Sequence, residues 1–580
     1  MLPSSRALRW AWAGILVTAL ATRLLGLPAI LLAPAEAAQA LPALDAALAQ
    51  GWPTTAESPL LLVGNALLFV IFGPGEGVAR LLPALAGVAL VMLPLLWRKQ
   101  VGEVGALSSA ALILISPLSL FAARRVDGAT LSTLGAGLIL SFLLQTIPDG
   151  AVDERWASAA VAFGVGIGLI GGPAFYDLIV PGVLTWMVLH WSGPRRLAKL
   201  SWHPTPILRS AGIGVGCALV ISTAFGLRWA GWAGLADGAA AWLAGWRVSS
   251  DGLTAVGLLA LYEPLLLLLA VVGLILLLRR SNATTPSQWA VAVWPLLALI
   301  LGALRPGSTP VSLSAVILPT ALLGGRALAL VASGVRQGSW RWIGLHGLLS
   351  FVFWVPGLLA LTQHASGHAV LDQTALILLG AGVLLGLQAL LVFLFLLPLP
   401  PNEVWRSALL GTASVFLVLQ VSFATSLAYA RADSPVEPAV GEATSPDLAH
   451  LRATLRDLSV RRGVRQDALR VSLIGDDVEL VTVLRWQLRD FARVAPAAAW
   501  PDDPQAIVVA PESSPIMIAE PTDSWRGMSF VATSAYRGSV PRCEQLVPPR
   551  CSSGLGWYLY RTTPYPLTSK NVILWQSSVP

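Results

Sequence analysis

The chain has 580 residues, 55% of them hydrophobic and 12% charged, with three cysteines and a formal charge of +7. A mean hydropathy of +0.71 means more apolar surface than a water-soluble core of this length can bury, which excludes a soluble globular protein and makes the bilayer the solvent. The positive balance does not point to nucleic acid, because Arg and Lys fall in short clusters between apolar runs, the positive-inside pattern of a membrane protein.

In chain order, residues 13–27 form the first apolar run, which lacks a small-residue cleavage site followed by a soluble mature chain and reads as a retained anchor with the N-terminus inside. An outer loop follows, in which Glu36, Gln39, Asp45, Gln50 and Glu57 are interleaved with apolar residues, as in helices lying along the interface. Residues 58–73 are apolar but short and closed by Gly73-Pro74-Gly75, so they read as a juxtamembrane or partly inserted helix. Further crossings are expected at 79–97, 104–122, 128–146, 156–170, 175–191, 207–225, 253–278, 289–304, 311–333, 342–361, 375–397 and 408–429, for about 13 in all. This arrangement puts Arg98, Lys99, Arg195, Arg196, Arg279, Arg280 and Arg406 on the cytoplasmic face, while Arg124 and Arg125, delivered to the outer face, break the charge rule.

After Arg431 the composition turns polar, with a linker at 431–444 expected to be flexible. Ser445-Pro446-Asp447 opens an amphipathic helix to about 461; 470–474 reads as a strand, 480–494 as a helix, and 506–510, 528–532 and 557–561 as strands. The expected fold is a polytopic α-helical membrane domain (1–430), the linker, and a small α/β domain (445–580) outside the cytoplasm.

Most motif-like features have plain readings. Gly166-Ile-Gly168-Leu-Ile-Gly171 matches a dinucleotide pattern but follows no strand, and close helix packing explains it better. His364 and His368 are four apart without a carboxylate signature, a weak metal pattern. No P-loop, HExxH or GxSxG is present. Cys217 reads as a small buried hydrophobe, whereas Cys543 and Cys551 flank a Pro-containing loop where an oxidising compartment would allow a disulfide. No paired broken-helix repeats of the secondary-transporter kind are visible.

Ionisable groups at the outer membrane face carry more information, because charge at that depth is costly and marks functional cavities. They are Glu36, Glu57, Arg124, Arg125, Asp127, Asp177, Arg228, Arg247, Glu263 and Arg305, with Tyr262 beside Glu263. Arginines suit a lipid-linked phosphate, and a carboxylate suits removal of a proton from an acceptor hydroxyl. The plainer reading is that several are solvated loop residues, or that Tyr262-Glu263-Pro264 is a helix end.

The ordered features from Thr22 to Leu144 resemble the polytopic GT-C glycosyltransferases: Arg23-Leu24-Leu25, Glu36, Ser58-Pro59-Leu60, Arg80 to Gly87, Ser116-Pro117 and Arg124 to Asp127. Tyr262-Glu263-Pro264, Leu318-Pro319 to Gly324 and Trp486 to Phe491 extend the resemblance to a flippase-activity-associated branch akin to dolichyl-phosphate-mannose mannosyltransferases. It implies a polyprenyl-phosphate-linked sugar as donor and an exported glycan, lipid or protein as acceptor. Glu36 or Asp127 would be base or acceptor positioner, and Arg124, Arg125 and Arg305 would hold phosphate; Glu57, Arg228, Arg247, Tyr262 and Glu263 would line the cavity. No cofactor is demanded, and a divalent metal is compatible. Ala35 stands where the family carries Asp, and Arg305-Pro306-Gly307 replaces a Glu-Lys-type motif. A non-catalytic binding or assembly subunit of envelope glycan or lipid export is therefore the alternative.

Overall fold

The computed structural model describes residues 5–145, 154–192, 204–247, 253–279, 286–333, 340–365, 373–397, 400–491, 493–497, 507–512, 525–536, 561 and 566–577. The first helices are α1 (Ser5–Leu24), α2 (Pro34–Ala47), α3 (Pro59–Phe72), α4 (Glu76–Ala79), α5 (Leu81–Met92), α6 (Arg98–Val101), α7 (Glu103–Leu114), α8 (Pro117–Ala123) and α9 (Ala129–Gln145). The bundle continues with α10 (Glu154–Gly171), α11 (Ala174–Ser192), α12 (Pro204–Ser222), α13 (Gly234–Ala244), α14 (Leu253–Tyr262), α15 (Pro264–Arg279) and α16 (Pro286–Leu304). It ends with α17 (Ser314–Ser333), α18 (Trp340–Ala365), α19 (Gln373–Phe395) and α20 (Pro401–Thr425).

Every stretch expected to cross the membrane coincides with one of these helices or a consecutive pair. By length and composition four are clear spans among the described residues, and six if the bent pairs α7/α8 (65°) and α14/α15 (98°) each make one. The breaks follow the sequence: Ser116 caps α8 by accepting from Ser119 N at 3.1 Å, and prolines open both α8 and α15. These two broken spans were not expected. Ser116 and Glu263 sit at the breaks, but each pair taken together is still apolar enough for one span, so average hydropathy does not show the bends.

α17 lies near the centre, with Leu318 and Leu322 buried. The glycines of α10 set its approach to both neighbours. A Cβ on Gly135 of α9 would lie 2.5 Å from Gly168 N and 2.8 Å from Gly164 O, and one on Gly166 would lie 3.4 Å from Gly214 O of α12. The Gly-rich pattern is thus a helix-packing surface. Cys217 is exposed on α12, not buried as expected, because in a lipid-facing helix the outward side is the apolar one.

The C-terminal unit holds β1 (Glu442–Thr444), α21 (Asp447–Arg461), β2 (Arg470–Ile474), α22 (Val478–Gln487), β3 (Arg493–Ala497), β4 (Ile507–Pro511), β5 (Trp525–Ala535) and β6 (Thr568–Ser577). The sheet order is β1-β5-β6-β4-β2-β3, parallel where β2 meets β3 and β4 and antiparallel elsewhere. The helix expected to reach 494 ends at Gln487, since Arg493–Ala497 pairs in parallel with β2. The strand expected at 557–561 lies outside the described residues except for Arg561. β6 was not expected.

The expected flexible linker is packed. Its end is strand β1, and Ala432, Glu437 and Ala439 are buried. The unit docks on the bundle through Trp486, fully buried against Phe69 at 5.8 Å, and through the ion pairs Arg489–Glu76 and Arg485–Asp45, both 3.0 Å.

The close approach of α9 and α10 yields a test. Gly135→Ala drives a methyl into backbone atoms that cannot swing away, and should lower thermal stability in detergent by about 1–3 kcal/mol. Gly212→Ala, which meets nothing within 4 Å, should leave it unchanged. Equal melting temperatures for both variants would refute the contact.

Candidate functional site at the sheet-domain end of the bundle

Helix α2 starts after Ala33, and its third residue, Glu36, turns back to accept from Ala33 N at 3.0 Å, the reciprocal half of a capping box. The same carboxylate accepts from Arg80 Nε at 2.9 Å and Nη2 at 2.8 Å, from Arg125 Nη1 at 2.7 Å and from Val126 N at 2.9 Å. It is 3% exposed. Burial by itself would raise its pKa, but Arg80 and Arg125 outweigh that and hold the carboxyl at about 2. Arg80 also donates to the carbonyls of Leu27, Ile30 and Leu31, and Arg125 Nη2 donates to Ala432 O at 2.7 Å. Glu36 is therefore the hub of an ion-pair network with both oxygens occupied, a geometry that leaves little capacity to take a proton.

Arg124 closes α1. The helix ends at Gly26 with φ 69°, and Arg124 satisfies the carbonyls left over: Nη1 reaches Thr22 O (3.2 Å) and Leu25 O (2.7 Å), and Nη2 reaches Gly26 O (3.3 Å). Its guanidinium also lies 4.3 Å from the Tyr429 ring centroid. Neither Arg124 nor Arg125 is placed as a free phosphate ligand.

Glu263 and Tyr262 are likewise not presented to an open cavity. At the α14/α15 break Glu263 is fully buried, accepting from Ser116 Oγ at 2.6 Å, Leu118 N at 3.0 Å and Gln420 Nε2 at 2.5 Å. Gln420 Oε1 in turn accepts from Leu265 N at 3.2 Å. The two broken spans thus meet at their breaks, each new helix start supplied with an acceptor. Tyr262 donates to Glu437 at 2.6 Å, and Arg561 donates to the same carboxylate oxygen at 3.0 Å.

The remaining candidates gather around three loops. Asp127 caps α9, with Oδ1 accepting from Ala129 N at 2.7 Å, and it is only half-buried. Burial raises its carboxyl to about 6 against the opposing Ala129 N–H, with the charges of Glu57 and Glu36 adding to the rise. Glu57 is exposed and accepts from Gln39 Nε2 at 3.4 Å. A Cβ on Gly128 would lie 1.8 Å from Gly171 O and 2.5 Å from Ser58 Oγ, so glycine is what lets the 57–58, 127–128 and 171–172 turns converge.

On the neighbouring side, Arg305 Nη2 pairs with Asp177 at 3.3 Å, and Asp177 accepts from Trp242 Nε1 at 2.8 Å. Arg305 Nε is buried without a hydrogen-bond partner among the described residues. Gly307 N donates to Gly245 O at 2.9 Å, which brings the Arg305 turn under the end of α13, and Arg247 is exposed just beyond it. Arg228 is buried, giving Nε to Pro53 O and Nη2 to Thr54 O, both at 2.7 Å. Asp237, Trp242, Gln420 and Glu437 are partners that sequence reasoning missed; only the isolated charge of Asp237 in an apolar loop was a visible signal. Cys543 and Cys551 lie outside the described residues, as does His368 and the side chain of His364. No three His, Cys, Asp or Glu side chains converge as metal ligands among the described residues.

No family model and no curated protein matches the chain. Solved structures do. ArnT from Cupriavidus metallidurans bound to undecaprenyl phosphate superimposes with a TM-score of 0.52 and 16% identity, over 87% of this chain and 94% of that one. The apo state of the same protein superimposes with a TM-score of 0.50 and 15% identity, over 89% and 95%. The chain therefore shares the fold of ArnT, the GT-C fold that the ordered features from Thr22 to Leu144 resemble.

Proposed function

We propose that this protein binds a polyprenyl-phosphate-linked sugar at the sheet-domain end of its bundle, transfers the sugar to an exported acceptor, and uses Asp127 as the general base. The observation that carries this reading is the half-buried Asp127 carboxylate where the 57–58, 127–128 and 171–172 turns converge, lifted to about 6 chiefly by burial, so that it is ionised yet basic near neutral pH. Asp127 takes the proton of the acceptor nucleophile as that atom bonds to the anomeric carbon, and the prenyl phosphate leaves with the electron pair of the broken C–O bond. Arg305, held by Asp177 and with Nε uncommitted, supports the phosphate, and Arg247 is exposed just beyond the end of α13 that the Arg305 turn meets. Undecaprenyl phosphate bound to ArnT supports a donor of this class. In this reading about 13 helices cross an inner membrane, with the N-terminus in the cytoplasm and residues 445–580 outside.

One observation favours the non-catalytic alternative. Ala35 occupies the position of the family's Asp, and the adjacent Glu36 is consumed by the ion-pair network. Donor binding without turnover in every variant and metal condition would establish it.

Turnover of a radiolabelled prenyl-phosphate sugar by purified protein, with and without divalent metal, tests the assignment. Asp127→Asn should lower turnover by about 10²- to 10⁴-fold with donor binding retained. Wild-type turnover should rise with pH through about 6, because the base is the ionised form. Full activity in Asp127→Asn would remove Asp127 from the reaction.

Glu36→Gln is expected to act on stability. It leaves Arg80 and Arg125 buried without a counter-charge, at a cost of about 3–5 kcal/mol. Since Glu36 is held near 2, below its ordinary 4.5, its stabilisation is complete above about 4.5 and is lost as pH falls towards about 2. Thermal unfolding across that range should show the dependence weakened in Glu36→Gln; an unchanged melting temperature at pH 7 would show that the network is dispensable.

A further inference from the structure

Between Phe225 and Trp246 the only ionisable residues are Arg228 and Asp237. Both face the protein: Arg228 donates to the carbonyls of Pro53 and Thr54, and Asp237 accepts from Ala56 N at 3.3 Å. Trp242 also turns inward, to Asp177. The side turned away is apolar. Phe225 is 72% exposed, Leu227 78%, Trp229 80%, Trp232 66% and Leu243 58%. On α13 the exposed positions Ala236, Ala240, Leu243 and Ala244 form one helical face without a polar side chain. A loop in water shows the reverse polarity.

The backbone holds this arrangement in place. Ala224 and Phe225 adopt left-handed conformations, with φ of 48° and 58°, which non-glycine residues rarely do. The following turn folds tightly against the end of α12, where a Cβ on Gly231 would lie 2.0 Å from Ser222 O. The exposed face continues that of α12, on which Ile213, Leu219 and Val220 are exposed in the same way. At its far end stands Arg247, exposed beside Trp246.

We infer that residues 225–246 form a ridge that penetrates the phospholipid leaflet on the sheet-domain side, with Phe225, Leu227, Trp229 and Trp232 against acyl chains and Arg247 at the level of the headgroup phosphates. Continuity with the exposed apolar face of α12, inversion of polarity and tryptophans beside a terminal cation all fit a lipid interface. Because Arg228 and Asp237 tie the ridge to the 53–57 loop, its depth also sets that of Glu57. A prenyl phosphate would then reach Arg305 without leaving the membrane. That last consequence rests on the proposed transfer function; the insertion does not.

The test is site-specific photocrosslinking of the full chain in phosphatidylethanolamine–phosphatidylglycerol vesicles free of prenyl lipid. p-Benzoylphenylalanine is placed at position 229 or 232, with position 213 on α12 as lipid-facing reference and position 460 on the sheet unit, where Val460 is 78% exposed, as aqueous reference. The expected result is a mass shift of one phospholipid at 229 and 232, in the yield seen at 213 and lost at 460. Overturning results are a covalent dimer, an adduct with another protein, or no lipid adduct at 229 and 232 while 213 labels. The readout needs no turnover, so its failure is distinct from failure of the transfer reading.

Discussion

Five N–H groups converge on the two oxygens of Glu36, and the positions of the neighbouring elements follow from that contact. Taking a carboxylate and two guanidinium groups out of water costs several kcal/mol per ion, and only dense, well-aligned hydrogen bonding offsets it. Arg80 brings in the end of the first span through Leu27, Ile30 and Leu31; Arg125 brings in the α8–α9 turn and, through Ala432, the chain leading to the sheet. Once α2 is fixed in this way, Asp45 on the same helix receives Arg485 of α22. The sheet unit and the Asp127 turn are thus registered on one buried carboxylate.

The same economy recurs wherever helices end inside the bundle. Backbone groups in an apolar medium need partners, and few polar side chains are present to supply them. Arg124 serves the last carbonyls of α1, Glu263 serves the start of α8, and Gln420 serves the start of α15. Arg124 and Arg125, which contradict the charge rule, are committed locally, Arg124 to backbone carbonyls and Arg125 to the Glu36 carboxylate.

These commitments narrow the chemistry. With Glu36, Arg124, Arg125, Tyr262 and Glu263 engaged in holding the fold, the proposed chemistry falls to Asp127, Glu57, Arg305 and Arg247. Their environments differ in the direction catalysis uses. Two arginines hold Glu36 far below the usual carboxylate range, whereas burial lifts Asp127 towards neutrality. Two neighbouring carboxylates thus differ in acidity, and the more basic one is the more accessible.

The membrane class, the places of the helices, the polar C-terminal unit and the short helix after Ser58 were legible in the amino-acid order, because apolar length and composition are local properties read without knowledge of neighbours. That order also marked Glu36, Arg124, Arg125, Asp127, Glu263 and Arg305 as special, since charge at membrane depth is conspicuous wherever its partner lies. Which of them serve the fold and which remain for a ligand was decided only by tertiary structure. Arg80 lies 44 residues from Glu36, Gln420 lies 157 from Glu263, and Arg485 lies 440 from Asp45. The breaks in α7/α8 and α14/α15, strand β6 and the packed 431–444 segment were hidden for the same reason. Each depends on a hydrogen bond or a sheet neighbour that the chain acquires only on folding.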